Sequence, residues 1–298
     1  MDGGNSPEAP DGASARAISR CGFMVYYTTM SRIRFYVNAE KPQAKSAESE
    51  LVAEAARLGL SVVEDGSAET VVVLGGDGTI LRAVHEFPGV PVLGLNLGGL
   101  GYLSSVEEKD FARALEMLAK GAYRISERTA LAVRKPGGSW FPALNDVVVD
   151  RVMSGHAAIL DLTVDGKLAT RYMADGLIIA TPTGSTAYSL AAGGPVLMPD
   201  SGSFVITPMS PHALGVRPLV VKDSSRLAVA SRPRANGVAE RICVYADGAN
   251  VFTLEGDEPM EVARSERVAR LVELDGYDPY DVLARKLGWS GLARLPKG

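Results

Sequence analysis

Asp77 is the one acid in a glycine loop, Gly75-Gly76-Asp77-Gly78-Thr79. Glycines let a backbone come close to a phosphate, and the N–H groups that open a following helix can bind one. A carboxylate repels phosphate, so an acid in this position points to chemistry. It can hold Mg²⁺, accept the proton of an attacking hydroxyl, or do both. A tight turn in which Asp77 caps the next helix uses the same residues. The loop is not a Walker A loop, since no Gly-Lys-Ser/Thr follows, and it lacks the G-x-G-x-x-G spacing of the dinucleotide fingerprint.

Further segments have residue types suited to holding a ligand. Asn96-Leu97-Gly98-Gly99-Leu100-Gly101-Tyr102 is a second glycine-rich loop, or a flexible connection. Asn145-Asp146 stands between Leu144 and the apolar run Val147-Val148-Val149. Polar groups there need hydrogen-bond partners, which a ribose, an adenine edge or a neighbouring loop backbone supplies. The longest segment, residues 175–195, runs from Asp175-Gly176 through an apolar strand into TPTGSTAYSLAAGGP. Ser185 or Thr186 is placed to cap a short helix, and small residues after Tyr188 leave room for a flat ligand against its ring. A plain capped strand–turn–helix explains the same string. His212 lies near Pro208 and Pro211, where a lone histidine is more often structural than catalytic. His85 falls in a helix pattern and His156 in a loop, while Trp140 and Trp289 read as packing residues.

The elements that must position these groups follow from periodicity. RIRFYVN, from Arg32, reads as a strand. Residues 46–58 put Leu51, Val52, Ala55 and Leu58 on one helical face, closed by Gly59. VVVL at 71–74 is a strand covered on both faces, followed by the glycine loop and a helix from Thr79 to Phe87. VPVLGLN at 90–96 is another buried strand, and Phe111, Ala114, Leu115 and Leu118 mark a helix ended by Gly121. Strands alternating with helices imply a parallel sheet, with ligands outside the carboxyl ends of its strands. Near Tyr123 the pattern changes. Leu160, Leu162 and Val164 alternate with Asp161, Thr163 and Asp165, and Asp165-Gly166 is a two-residue hairpin turn. Strand-like runs recur at 144–149, 177–181, 203–207, 218–221, 226–231 and 241–245, so this half is β-rich and mostly antiparallel. YDPYDVLARKLGW is helical again after Pro279 and is expected to return to the first domain.

The expected fold is therefore a Rossmann-like α/β domain over 30–123 and a β-rich domain over 124–267. A C-terminal segment, 268–298, packs on the first. Residues 1–29 are read as a disordered or upstream extension. Residues 1–15 cannot bury enough apolar surface to order themselves, and the run at 21–30 lacks the cleavage site of a signal peptide, which leaves Met30 as the expected start. The 298 residues carry a net charge of −4, which gives no electrostatic case for nucleic acid or an anionic membrane as partner. Two cysteines, Cys21 and Cys243, make neither a disulfide framework nor a zinc spacing and suit a reducing, cytoplasmic compartment. No apolar run reaches the ~18 residues of a membrane span.

Taken together, GGDGT at 75–79, Asn145-Asp146 and DG…TPTGSTAYSLAAGGP at 175–195 resemble the NAD kinase family, in the family's order. ADG at 246–248 and LARKLGWSG near the end resemble its later segments, so the likeness runs from about Met30 to Gly291. GGDG alone also suits lipid, sphingosine and phosphofructokinase relatives; TPTGSTAY followed by GGP is the specific part. The resemblance implies an active site in a crevice between the two domains. It implies Mg-dependent phosphoryl transfer from ATP or polyphosphate to the 2′-hydroxyl of the adenosine ribose of NAD, giving NADP. Asp77 activates that hydroxyl, with Gly75, Gly76, Gly78 and Thr79 near the phosphates. Asn145 and Asp146 hold the adenosine, Asp175 meets the nicotinamide side, and Tyr102, Thr186, Ala187 and Tyr188 line the pocket. His212 matches a family histidine that binds NAD near the site, often presented to a neighbouring subunit, since members are usually homodimers or homotetramers. Ala191 stands where many members have Ser, and Tyr102 where Phe is common. A lipid or sugar kinase, or a dinucleotide-binding regulator without turnover, are the competing readings.

Overall fold

The computed structural model describes residues 16–20, 23–27, 31–38, 42–98, 101–104, 106–152, 156–234, 237 and 240–289. Residues 1–15, 21–22 and 28–30 of the expected extension, Met30 included, lie outside them, as do Gly99 and Leu100 of the second glycine loop. Within that extension, β1 (Arg16–Arg20) and β2 (Phe23–Tyr27) pair antiparallel as a two-stranded sheet of their own.

The chain divides into two units, Met1–Ser126 with Arg270–Gly298, and Glu127–Ala269. In the first, β3 (Arg32–Val37) leads through α1 (Pro42–Arg57) to the short β4 (Ser61–Val62). Next come β5 (Thr70–Leu74), α2 (Asp77–Glu86) and β6 (Val92–Asn96). The two-residue β7 (Val106–Glu107) and α3 (Phe111–Ala119) follow. Strands β4, β3, β5, β6 and β7 pair in parallel. Period-2 alternation sends Val72 and Leu74 to one core and Val71 and Val73 to the other. Helices α1 and α3 cover the first core with Leu51, Ala55, Phe111, Ala114, Leu115 and Leu118; α2 covers the second with Ile80 and Ala83. A sheet covered on both faces explains the continuous apolar run of β5. Val52, expected on the inner face of α1, is 36% exposed, because it lies about 100° around the helix from Leu51, off the stripe of Ala44, Ala47, Leu51, Ala55 and Leu58 that packs on the core.

The second unit begins within β8 (Tyr123–Arg134). It continues with β9 (Phe141–Ala143), β10 (Asp146–Arg151), β11 (Ala158–Val164), β12 (Lys167–Ala174) and β13 (Gly176–Ala180). The one-turn α4 (Tyr188–Ala191) precedes β14 (Ser203–Met209), β15 (Leu219–Lys222) and β16 (Leu227–Ser231). Last come β17 (Ile242–Ala246), β18 (Ala249–Leu254) and β19 (Met260–Leu274). Strands β15-β14-β13-β10-β17-β18 form one antiparallel sheet; β12, β11, β16 and the start of β19 pair antiparallel in another. Asp165-Gly166 makes the β11–β12 hairpin turn, with φ of 48° and 77°. Val149, Leu177, Ile179 and Phe204 share a core with Leu160, Val229 and Met260 of the other sheet. Their neighbours Val148, Ile178 and Val205 point to the opposite face, with Ala192 and Leu197 against them.

The chain then returns to the first unit. Leu271 of β19 pairs in parallel with Val92, and Arg124 Nε lies 2.7 Å from Glu273. Helix α5 (Pro279–Leu287) starts where Asp278 accepts the Tyr280 N–H at 2.8 Å and stops at Gly288, φ 66°. Arg285 pairs with Glu107, and Lys286 Nζ lies 5.2 Å from the centre of the Tyr102 ring. The C-terminal helix therefore returns to the α/β unit, as expected. Trp140 and Trp289, expected as packing residues, are 39% and 60% exposed; Trp140 lies under the Arg134 guanidinium, 4.5 Å away.

Candidate active site

In the α/β unit both glycine loops leave the carboxyl ends of adjacent parallel strands, β5 and β6. Asp77 opens α2 in its first turn. The N-cap is Gly76, with no side-chain cap, so Asp77 does not play the capping role that its place before a helix allows. Its carboxylate turns to the second loop. Oδ2 accepts the Tyr102 N–H at 2.8 Å. Oδ1 accepts from Leu103 N at 3.1 Å, Ser104 N at 3.1 Å and Ser104 Oγ at 3.0 Å. Gly101 makes this possible, since a Cβ there would run into Asp77 Oδ1 and Ser104 Oγ. Thr79 is buried and Gly78 exposed at the mouth of the loop. Burial raises the Tyr102 phenol's pKa, with a smaller push from the Asp77 charge.

In the β-rich unit a second cluster forms around Asn145-Asp146. Asp247-Gly248 turns the β17–β18 hairpin with φ of 47° and 81°. The Asp247 carboxylate accepts the N–H groups of Leu144 (2.7 Å), Asn145 (2.7 Å) and Asp146 (3.2 Å). The TPTG loop closes on the other side. Thr181 N donates to Asn145 O at 2.9 Å, and Thr181 Oγ1 to Leu144 O at 2.6 Å. Gly184 lies so close that a Cβ would collide with the Asn145 backbone. Ser185 and Thr186 do not cap α4, whose N-cap is Ala187; their hydroxyls donate back to Pro182 O and Thr183 O. Tyr188 is 51% exposed, with Thr186 and Ala187 partly open beside it.

Asp146 is 6% exposed, and its pKa is raised to about 7, first by burial and then by the Asp247 charge. Near neutrality its protonated and charged forms are therefore comparably populated, and the protonated form can donate a hydrogen bond. A carboxyl that folds with a raised pKa holds a proton the unfolded chain has lost. Stability thus falls as pH rises from about 4 to about 7 and levels off above. Asp146→Asn is expected to flatten that slope and to raise stability at pH 8 by roughly 2 kcal/mol, part of the linkage term offset by the buried amide. Thermal melting from pH 4 to 9 checks this, and an unchanged slope would contradict the assignment.

Asp175 and His212 lie elsewhere. Asp175 sits at the opposite end of the five-residue β13 from Thr181, roughly 20 Å away at strand rise. There its Oδ1 is 2.9 Å from Arg151. His212, exposed, donates its backbone N–H to Met173 O, close to the same end, where Asp175 N bonds Met209 O. Ser104 was not singled out in the sequence, and Asp247 appeared only within the ADG segment at 246–248, with no role given. An Asp-Gly pair signals a hairpin turn, but nothing in one sequence says what that turn faces.

The comparisons with known proteins agree on one family. The ATP-NAD kinase N-terminal domain matches residues 13–123, and the ATP-NAD kinase C-terminal domain matches residues 144–274. The NAD kinase of Symbiobacterium thermophilum is 38% identical over 286 residues, covering 87% of this chain and 99% of that protein. The chain belongs to the NAD kinase family.

Another member, the NAD kinase of Geotalea daltonii, is 40% identical over 229 residues, covering 74% of this chain and 79% of its own. An NAD kinase from Archaeoglobus fulgidus, solved in complex with ATP, superposes with a TM-score of 0.72 at 25% identity, covering 86% of this chain and 98% of that one. Yeast NADH kinase complexed with NADH shares the fold, with a TM-score of 0.78 at 24% identity over 95% and 96% of the two chains. Ala191 falls on an exposed turn of α4, and Tyr102 on the loop that wraps Asp77.

Proposed function

We propose that this chain transfers the terminal phosphoryl group of ATP to the 2′-hydroxyl of the adenosine ribose of NAD, giving NADP and ADP. The observation that carries this reading is Asp77 at the sheet edge, a carboxylate whose Oδ1 accepts three donors and whose Oδ2 accepts one. Oδ2 retains a lone pair for a substrate hydroxyl. As the bond from the 2′-oxygen to phosphorus forms, the bond from phosphorus to the ADP oxygen breaks and the hydroxyl proton passes to Asp77 Oδ2. Gly75, Gly76, Gly78 and Thr79, with the positive end of α2, attract the phosphates.

Asn145 and Asp146 take the adenosine, Asp146 as a donor when protonated. Thr186, Ala187 and Tyr188 line its side, Tyr188 offering a ring face, and Tyr102 flanks the Asp77 loop. Asp175 and His212 take the nicotinamide end, separated from the adenosine by the length of β13. Mg²⁺ enters with the phosphoryl donor, as MgATP, in keeping with its preference for phosphate oxygens and one or two carboxylates, of which Asp77 is the candidate. Polyphosphate presents the same terminal group. A cytoplasmic homodimer or homotetramer is part of this reading; the net charge of −4 gives no electrostatic case for nucleic acid or an anionic membrane as partner, and the two cysteines suit a reducing compartment.

Purified protein incubated with NAD, ATP and Mg²⁺, and read with an NADP-specific dehydrogenase, tests the activity. NADP formation supports it. No NADP from NAD or NADH, with ATP or polyphosphate, defeats it. Tight NAD binding without turnover would favour the regulator, and phosphorylation of lipid or sugar hydroxyls the other kinases.

A further inference from the structure

We infer that Ser104 is a positioning residue for Asp77, its hydroxyl held as a donor by Asn96 so that it occupies Oδ1 and leaves Oδ2 to receive the substrate proton. The inference rests on the reading of Asp77 as proton acceptor. Both groups are buried, Asn96 at 3% exposure and Ser104 at 0%. The Asn96 amide has a defined orientation, because its Oδ1 accepts the Gly98 N–H at 2.9 Å. Its Nδ2, which can only donate, is therefore the atom 2.8 Å from Ser104 Oγ. With that donor pointing at it, the Ser104 hydroxyl accepts from Asn96, and its single proton is directed along the 3.0 Å contact to Asp77 Oδ1.

The donors thus run one way, from Asn96 to Ser104 to Asp77, and end on an acceptor. A proton on Oδ1 would face the Ser104 proton and the N–H groups of Leu103 and Ser104. Oδ1 is closed to the reaction, and Oδ2, with the Tyr102 N–H as its one donor here, is the oxygen left. Gly101 lets the loop lie against both oxygen-bearing groups at once. A hydroxyl merely filling space would need neither this polarity nor this aim.

Steady-state kinetics of the full chain with NAD and MgATP tests the assignment. Ser104→Ala is expected to lower kcat roughly 10- to 100-fold, the scale of a misaligned catalytic group, while KM for NAD stays within about twofold. Ser104→Thr keeps the hydroxyl and is expected to recover most of the loss. Ser104→Cys keeps the shape at a slightly larger size but weakens the donor and is expected to behave like Ala, with thermal melting confirming that each variant is folded. In an Asp77→Asn background Ser104→Ala is expected to cause no further loss, since the two act as one unit. If Asp77→Asn loses turnover but folded Ser104→Ala and Ser104→Cys keep it, the role of Ser104 is overturned and that of Asp77 stands. Ser104 equally loses its role if Ser104→Thr melts like wild type and recovers nothing. If Asp77→Asn itself turns over normally, both fall together.

Discussion

Asp77→Asn is expected to lower kcat roughly 100- to 10,000-fold, the range a general base contributes, while equilibrium NAD binding stays nearly unchanged. The amide keeps one oxygen for Leu103 N, Ser104 N and Ser104 Oγ, so the loop retains most of its anchor. Its NH₂, in place of Oδ2, faces the Tyr102 N–H, and two donors then oppose each other where one bond existed. The variant should therefore melt slightly lower as well as turn over slowly. A coupled NADP assay beside an NAD titration separates the two effects. A variant that keeps most of its kcat would remove Asp77 from the mechanism.

Asp247→Ala is expected to be the most disruptive change in the β-rich unit. It strips acceptors from three successive N–H groups, those of Leu144, Asn145 and Asp146, in a part of the fold where water is scarce. Each partly buried donor left unpaired costs about 1–3 kcal/mol, so a loss of roughly 3–5 kcal/mol is expected in all. Alanine is also strained at the Asp247 φ of 47°. With the Asn145-Asp146 turn released, KM for NAD should rise about tenfold or more, one decade for each 1.4 kcal/mol of lost binding. Asp247→Asn tolerates the same φ and keeps an acceptor oxygen, so it should lose much less. Melting curves and NAD kinetics on both variants decide the matter; wild-type NAD affinity in Asp247→Ala would break the link between this hairpin and the site.

Much of this arrangement was legible in the sequence because it rests on short-range pattern. The apolar run at Val71–Leu74 implied a strand covered on both faces, and Phe111, Ala114, Leu115 and Leu118 marked the inner face of a helix. The glycine loops could be assigned to the carboxyl edge of the sheet from strand–loop–helix order alone. The strand β19 was harder. Its middle, Arg264-Ser265-Glu266-Arg267, is polar and largely exposed, so periodicity loses it although the backbone stays extended. The site was half visible. Residue types named Asp77, Asn145 and Asp146, but their partners Ser104 and Asp247 stand 27 and 101 positions away in the chain, and pairing at that range comes only from the fold. The same holds for the distance of Asp175 from Thr181, which a motif printed as one continuous string conceals.

The α/β unit is assembled from segments on both sides of the β-rich unit: Leu271 pairs beside Val92, Val272 joins its core, and Arg285 and Lys286 meet Glu107 and Tyr102. This sets an order of events during translation. The ribosome makes one part of this unit before the β-rich unit and another part after it, whereas every residue of the β-rich unit has been made by Ala269. A nascent chain can therefore complete the cluster around Asn145, Asp146 and Asp247 while the unit carrying Asp77 still waits for its last strand and helix. Messages truncated near the 3′ end would yield a protein with that cluster intact and the Asp77 unit unfinished.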